Sequence, residues 1–283
     1  MVIDYPSLVQ WCADIIATAI ADLGWSGGNC VPMPGFKMDL QQVGTLASPL
    51  PRWLAAHHKV SPETMGALLM QHIQQRNYPF APKIWLHDNA WLYLQFSDAA
   101  LAHWLQQGLT IPPTLEDGDR TTERGAVDGI SANPALFSLQ YAHARCCSLL
   151  RLATETLGIS IAREIAIPWL NAAPQLHIVH PSEMALTRLI LQFPHGLGLQ
   201  KQILGFPGCL SPGVRSEIPE SVSAQQLQTL SETFLQFYQA CRLWGTVSPP
   251  ELVLERLGLI QLTQNVLQFS LQRWLHHAAP QHL

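Results

Sequence analysis

The sequence predicts two domains, a small α+β module followed by an all-α helical bundle, on three observations. Apolar residues in the back half recur at spacings of three and four and are bracketed by helix caps, whereas strand-like alternation is confined to residues 83–96. Between the halves, residues 110–132 carry Pro112-Pro113, a mixed run of charges and three glycines without an apolar period. The expected organisation is therefore a module over 1–109, a linker over 110–132 and a helical domain over 133–283. A chain of 283 residues is long enough for two ordinary domains with their own cores.

In the front module, Leu8, Trp11, Cys12, Ile15, Ile16, Ala19 and Leu23 mark an amphipathic helix over 5–23, and Gly24 stops it. The Gly- and Pro-rich stretch 25–47 shows no clear period. Ser61-Pro62-Glu63 is a capping serine with proline in the first turn, opening a helix that carries Met65, Leu68, Leu69, His72 and Ile73. Lys83 to His87 and Trp91 to Phe96 form a hairpin joined through Asp88-Asn89, with Trp91, Tyr93 and Gln95 on one face and Leu92, Leu94 and Phe96 on the other. Ser97-Asp98 caps a short helix containing Leu101, Trp104 and Leu105.

The bundle opens at Asn133-Pro134, a cap followed by a ring at a position where no backbone donor is lost. Leu139, Ala142, Cys146, Leu149 and Ala153 then lie on one buried face, Tyr141, Arg145 and Ser148 form an adjacent stripe, and Gly158 ends the helix. Residues 162–181 are irregular, with three prolines. A helix follows from about Ser182 to Phe193, and 196–220 reads as a long loop with one short helical piece. Leu227, Leu230, Phe234, Phe237, Cys241 and Trp244 form a further seam closed by Gly245. Ser248-Pro249-Pro250-Glu251 is a capping box for a final helix reaching about His276, with Leu257, Ile260, Leu267, Leu271 and Trp274 inward.

These elements carry a family resemblance. The run Gln140-Tyr141-Ala142-His143-Ala144-Arg145, with Cys147-Ser148, Leu150-Arg151 and Ala153, resembles the helix that opens the DALR-type anticodon-binding domain of arginyl-tRNA synthetase. Gln192-Phe193-Pro194 and Phe237-Tyr238-Gln239-Ala240-Cys241-Arg242 resemble later segments of the same domain. The front part, through Phe96-Ser97-Asp98-Ala99-Ala100-Leu101, resembles the family's N-terminal additional domain, which in the family contacts the elbow of tRNA. In the synthetase a catalytic domain of several hundred residues would stand where this chain has its linker.

Charge restricts how RNA could be held. Lys and Arg number 16 against 20 Asp and Glu; residues 1–132 have 7 basic and 12 acidic residues, and residues 133–283 have 9 and 8. Any nucleic-acid site must therefore be local rather than a broad positive field. No basic leader precedes Asp4 and Asp14, and no apolar run reaches the 18 residues of a membrane helix, so a cytoplasmic location is expected. Six cysteines, Cys146 and Cys147 adjacent on a helix and the others scattered, without a C-x-x-C pair, read as reduced, mostly buried thiols.

Catalytic chemistry finds little support. The histidine-glycine motif and lysine-serine loop that arginine activation requires are missing, and no G-x-G-x-x-G or P-loop occurs. His177 and His180 lie between Pro174 and Pro181, where no third ligand has a defined place, so neither a metal nor a cofactor is expected. His57-His58 and His276-His277 point their rings apart, and Cys146 and Cys147 sit at packing positions without an adjacent base. The expectation is a non-catalytic protein that binds tRNA or another structured RNA. Under the resemblance, Tyr141 and Tyr238 stack on unpaired bases, while Arg145, Arg151, Arg188 and Arg242 meet phosphates or base edges. The competing structural reading has the tyrosines sealing the core and the arginines serving helix ends or, for Arg151, pairing with Glu155. A protein-interaction module remains the alternative function, favoured by low basicity and nine tryptophans.

Overall fold

The computed structural model describes residues 8–25, 37–38, 42–76, 78, 80–87, 89–110, 134–161, 165–192, 220–243, 249–275 and 277–282. The expected linker beyond Thr110, the loop over 196–219, Trp244-Gly245 and the capping Ser248 lie outside the described residues. The described residues up to Trp104 form one compact unit and those from Leu105 onward form a second. An α+β front and an all-helical back are both observed, as the sequence predicts.

The first unit comprises α1 (Leu8–Asp22), β1 (Lys37–Met38), β2 (Thr45–Ser48), α2 (Leu50–His58), α3 (Pro62–Gln75), β3 (Lys83–His87), β4 (Trp91–Gln95) and the start of α4 (Asp98–Thr110). Its antiparallel sheet has the order β1-β2-β4-β3. Hairpin register sets Ile84 opposite Leu94 and Leu86 opposite Leu92, so the alternation expected from the sequence becomes one inward apolar row. Met65, Leu69 and Ile73 of α3, Ile16 and Ile20 of α1, and Leu50 and Leu54 of α2 are buried with that row. Gly66 permits the approach of α3 to β3, since a Cβ there would stand 2.6 Å from Leu86. Leu68 is a correction: it is exposed, because the buried stripe of α3 passes through Met65, Leu69 and Ile73.

Caps fall where the side chains allow. Ser61 accepts from the Thr64 backbone N–H at 3.2 Å, and Ser97 accepts from Ala100 N–H at 3.3 Å. Three elements escape the sequence reading, the two-residue β1 among them. Helix α2 starts behind Pro49 without a side-chain cap, and β2 is buried at all four positions and so has no alternation to detect.

The second unit contains the end of α4, then α5 (Pro134–Leu157), α6 (Pro181–Gln192), α7 (Glu220–Ala240) and α8 (Pro250–Phe269), which passes into a π-helical turn over Ser270–Trp274. Helix α5 packs against α7 and α8, and α6 also packs against both. Gly158, at φ 64°, ends α5 as expected. Helix α8 is capped from Pro249 without a side-chain bond, and its regular part stops at Phe269, earlier than the apolar seam suggests. On this unit's part of α4, Gln106 Oε1 accepts from Ile167 N–H at 3.0 Å and Trp169 Nε1–H at 3.1 Å, while its Nε2 donates to Ile165 O at 2.9 Å. Trp169 fits against Gly258 of α8, where a Cβ would meet the ring at 2.7 Å.

A buried polar cluster ties three helices together. Glu183 Oε2 accepts from Val179 N–H at 3.0 Å and His180 N–H at 2.8 Å, capping α6, while Oε1 accepts from Arg256 Nε–H at 2.7 Å. Arg256 also donates through Nη1 to the Arg242 carbonyl at 2.6 Å, just beyond α7. Next to Arg256 on α8, Glu255 meets His177 Nδ1 at 2.8 Å. Burial pushes the Glu255 carboxyl up to about 7, partly opposed by its bond to His177.

Candidate nucleic-acid interface

Helix α5 presents a ridge built by its own period. Phe137, Tyr141, Arg145, Ser148 and Leu152 follow at intervals of three or four, so they line one side of the helix away from the buried Leu139, Ala142, Cys146, Leu149 and Ala153. Phe137 and Tyr141 are each 41% exposed, and Leu152 is 39% exposed. The two rings lie 6.2 Å apart at 27°, giving two successive aromatic surfaces one turn apart.

On one flank stands α7. The Arg145 guanidinium lies over the Tyr238 ring at 4.5 Å and donates through Nη2 to the Tyr238 hydroxyl. Ser138 and Ser231 join the same two helices, with their hydroxyl oxygens 3.1 Å apart. The sequence pairs each tyrosine with the arginine one turn along its own chain; the structure pairs Arg145 with Tyr238 across helices. Helix α7 ends at Ala240, so Arg242 does not continue its face, and Arg242 is exposed with its carbonyl held by Arg256.

On the other flank runs the segment 277–282. Arg151 Nη1 donates to His282 Nε2 at 3.0 Å, instead of turning to Glu155 as the spacing suggests. Gln140 Nε2 donates to Ala278 O at 3.1 Å, and His143 Nδ1 donates to Pro280 O at 2.8 Å. Arg188 stands apart on α6, half-buried. Of the six residues singled out by sequence, Tyr141, Arg145, Tyr238 and Arg151 thus gather on and around one ridge. Phe137 was overlooked, although its position four residues before Tyr141 was a usable signal.

The ridge offers stacking and hydrogen bonding. Exposed rings accept any base on their π faces, and a guanidinium fixed in orientation offers planar donors to phosphate or a base edge. Other reactive groups nearby are quiet. Burial holds the Cys146 thiol well above its ordinary range, and Cys147, 3.8 Å from His143 Nε2, is raised as well, so neither is a ready thiolate. His177 and His180 turn to different partners, Glu255 and the Ser182 N–H.

Residues 139–273, which include most of this helical bundle, match the DALR anticodon binding domain. That part of the chain is a DALR domain. The chain is similar to the arginine–tRNA ligase of Pelodictyon phaeoclathratiforme, with 32% identity over 136 residues that cover 48% of this chain and 21% of the relative. The corresponding enzyme of Prosthecochloris aestuarii is 32% identical over 48% of this chain and 20% of its own length. That of Ruminiclostridium cellulolyticum is 29% identical over 50% and 21%. The matched region spans about a fifth of these curated relatives. No solved structure matches the chain. No helix among the described residues is long and apolar enough to cross a membrane.

Proposed function

We propose that the chain binds RNA, tRNA foremost, through the α5 ridge, and that it does so without activating an amino acid. The observation that carries this reading is the exposed Phe137–Tyr141 pair running into Arg145, whose guanidinium is already set on Tyr238. It lies within the DALR-matched half, and the similar proteins are named as ligases that act on tRNA. Unpaired bases stack on the two rings, Arg145 and Arg151 meet phosphates or base edges, and the cytoplasm is the compartment that this role implies. With a net charge of −4 the chain has no long-range attraction for RNA, so binding is weak and salt-sensitive.

A titration of bulk tRNA at low salt tests the proposal. Tyr141→Ala is expected to weaken binding by about 1–3 kcal/mol, the contribution of one stacked base, and Arg145→Ala is expected to weaken it and reduce its salt dependence. No binding at tens of micromolar protein, or equal binding by both variants, removes the reading. Absence of amino-acid activation is checked by arginine-dependent ATP–pyrophosphate exchange, which is expected not to exceed a heat-inactivated control. The exposed Leu152 and Leu157 favour a second reading, a protein-interaction module. Affinity capture that returns one reproducible protein partner and no RNA would select it.

A further inference from the structure

By sequence, Tyr141 and Tyr238 are equal candidates for stacking on bases, one on each helix, but their surroundings differ. Tyr141 stands on the open side of α5, 41% exposed and next to the Phe137 ring. Tyr238 is half-buried on α7; the Arg145 guanidinium covers one face of its ring at 4.5 Å, and its hydroxyl oxygen accepts from Arg145 Nη2. A base stacks only on a ring face that nothing else occupies. The rings with open surface therefore both belong to α5.

Helix packing produces the pairing of Arg145 with Tyr238. The Ser231 hydroxyl donates to Gln228 O at 2.8 Å, so in the contact between Ser138 and Ser231, 3.1 Å long, Ser138 is the donor. Arg145 lies two turns beyond Ser138, and Tyr238 lies two turns beyond Ser231. Helices α5 and α7 thus run side by side in the same direction, and the register that joins the serines carries Tyr238 opposite Arg145. Phe234 and Phe237, both fully buried, seat this stretch of α7 in the core.

The same contact decides which edge of the guanidinium meets a ligand. Arg145 Nε is buried and has no acceptor among the described residues, and one hydrogen of Nη2 goes to the Tyr238 hydroxyl. Outward donation falls to Nη1 and the second hydrogen of Nη2, the end of the fork rather than its side. Two such donors match two oxygens of one phosphate.

We propose that Tyr238 is a positioning residue: it holds the Arg145 guanidinium end-on to the ligand and meets no base itself, so the RNA footprint runs along α5 from Phe137 through Tyr141 to Arg145. The footprint rests on the RNA reading above; the hold of Tyr238 on Arg145 does not.

Two measurements on the full chain test this. The first needs no RNA and follows the Arg145 Nε–H resonance. In the unaltered chain it is expected to be shifted by the Tyr238 ring and to exchange slowly with water. Tyr238→Leu keeps apolar bulk on α7 but removes the π face and the hydroxyl, and should abolish both properties; an unchanged resonance overturns the hold. The second is a mutant cycle read by bulk tRNA binding at low salt. Arg145→Ala and Tyr238→Leu should each weaken binding by about two- to tenfold, and the double variant should bind no more weakly than Arg145→Ala alone, since Tyr238 acts only through Arg145. A further loss of about fivefold or more in the double variant is the mark of a stacked base and overturns the assignment. Phe137→Ala, about 12 Å from Arg145 along the helix axis, should instead multiply its loss with that of Arg145→Ala; failure to do so removes Phe137 from the footprint. If the unaltered chain binds no tRNA, the RNA reading falls, and the Arg145 resonance still decides whether Tyr238 holds the guanidinium.

Discussion

Among the described residues, the first unit buries an apolar and aromatic interior in which Thr45 and Ser48 are the polar members, whereas the second buries Glu183, Glu255, Arg256, Gln140 and His143 among its leucines. Sheet register and helix period alone bring the first interior together. In the second, the helix period brings the leucines inward, but the relative placement of α6, α7 and α8 is fixed by side chains that lose hydration and must regain every hydrogen bond. The comparison implies that the first unit tolerates conservative apolar exchange. The second should respond sharply to the loss of one polar partner.

The largest effect is expected at Glu183. Alanine there strands the Arg256 guanidinium and uncaps α6, at a cost of about 3–5 kcal/mol. Hydrogen exchange should report the loss in α6 and α8 while β3 and β4 keep their protection; equal loss in both units would erase the distinction. Gly258→Ala comes next. Its Cβ meets the Trp169 ring at 2.7 Å, and because the ring is clamped by Gln106 it cannot yield cheaply, so about 1–3 kcal/mol is expected in thermal unfolding. Gly66→Ala is the matched control in the first unit, where the facing Leu86 methyls can rotate away and the cost should be smaller.

Charge gives a third test. Glu255 titrates near 7 in the folded chain against 4.5 as its ordinary value, so folding favours its protonated form. Its contribution is fully present below about 4.5 and is lost as pH rises through about 7. Glu255→Gln should remove that decline, flattening stability against pH over the window. His143, with its affinity for the proton lowered, acts oppositely: its contribution is present above 6.5 and fades as pH falls through the lowered value. The smallest change is Ser97→Ala in the first unit, which loses the cap of α4 and about 1 kcal/mol. A larger loss there would mean that the first unit also depends on isolated polar contacts.

What was legible in the sequence follows from the same contrast. The buried period of α5, the pairing of the hairpin strands and the α7 seam from Leu227 to Cys241 are written in local periods, and these appear as expected; Asn133, Asp88, Trp244 and Gly245 lie outside the described residues. The Glu183–Arg256 pair joins residues 73 positions apart and has no local pattern to announce it. The grip on segment 277–282 is equally silent, since two of its three contacts go to backbone carbonyls, which every residue carries. The candidate interface was half legible: Tyr141 and Arg145 stand out on α5, but the alliance of Arg145 with Tyr238 depends on how α5 and α7 pack. Even the exposed Phe137 looked like one more member of an apolar run.

That alliance has a thermodynamic consequence. A free arginine at a protein surface samples many rotamers, and fixing such a side chain on binding costs about 0.5–1.5 kcal/mol. Folding already confines Arg145 over the Tyr238 ring. The ordering is therefore in place before any ligand arrives, so an anionic group meeting this guanidinium should bind with a smaller entropic penalty than at an arginine without such a partner. For a chain without a strong attractive field, such prior ordering raises affinity without adding a single charge.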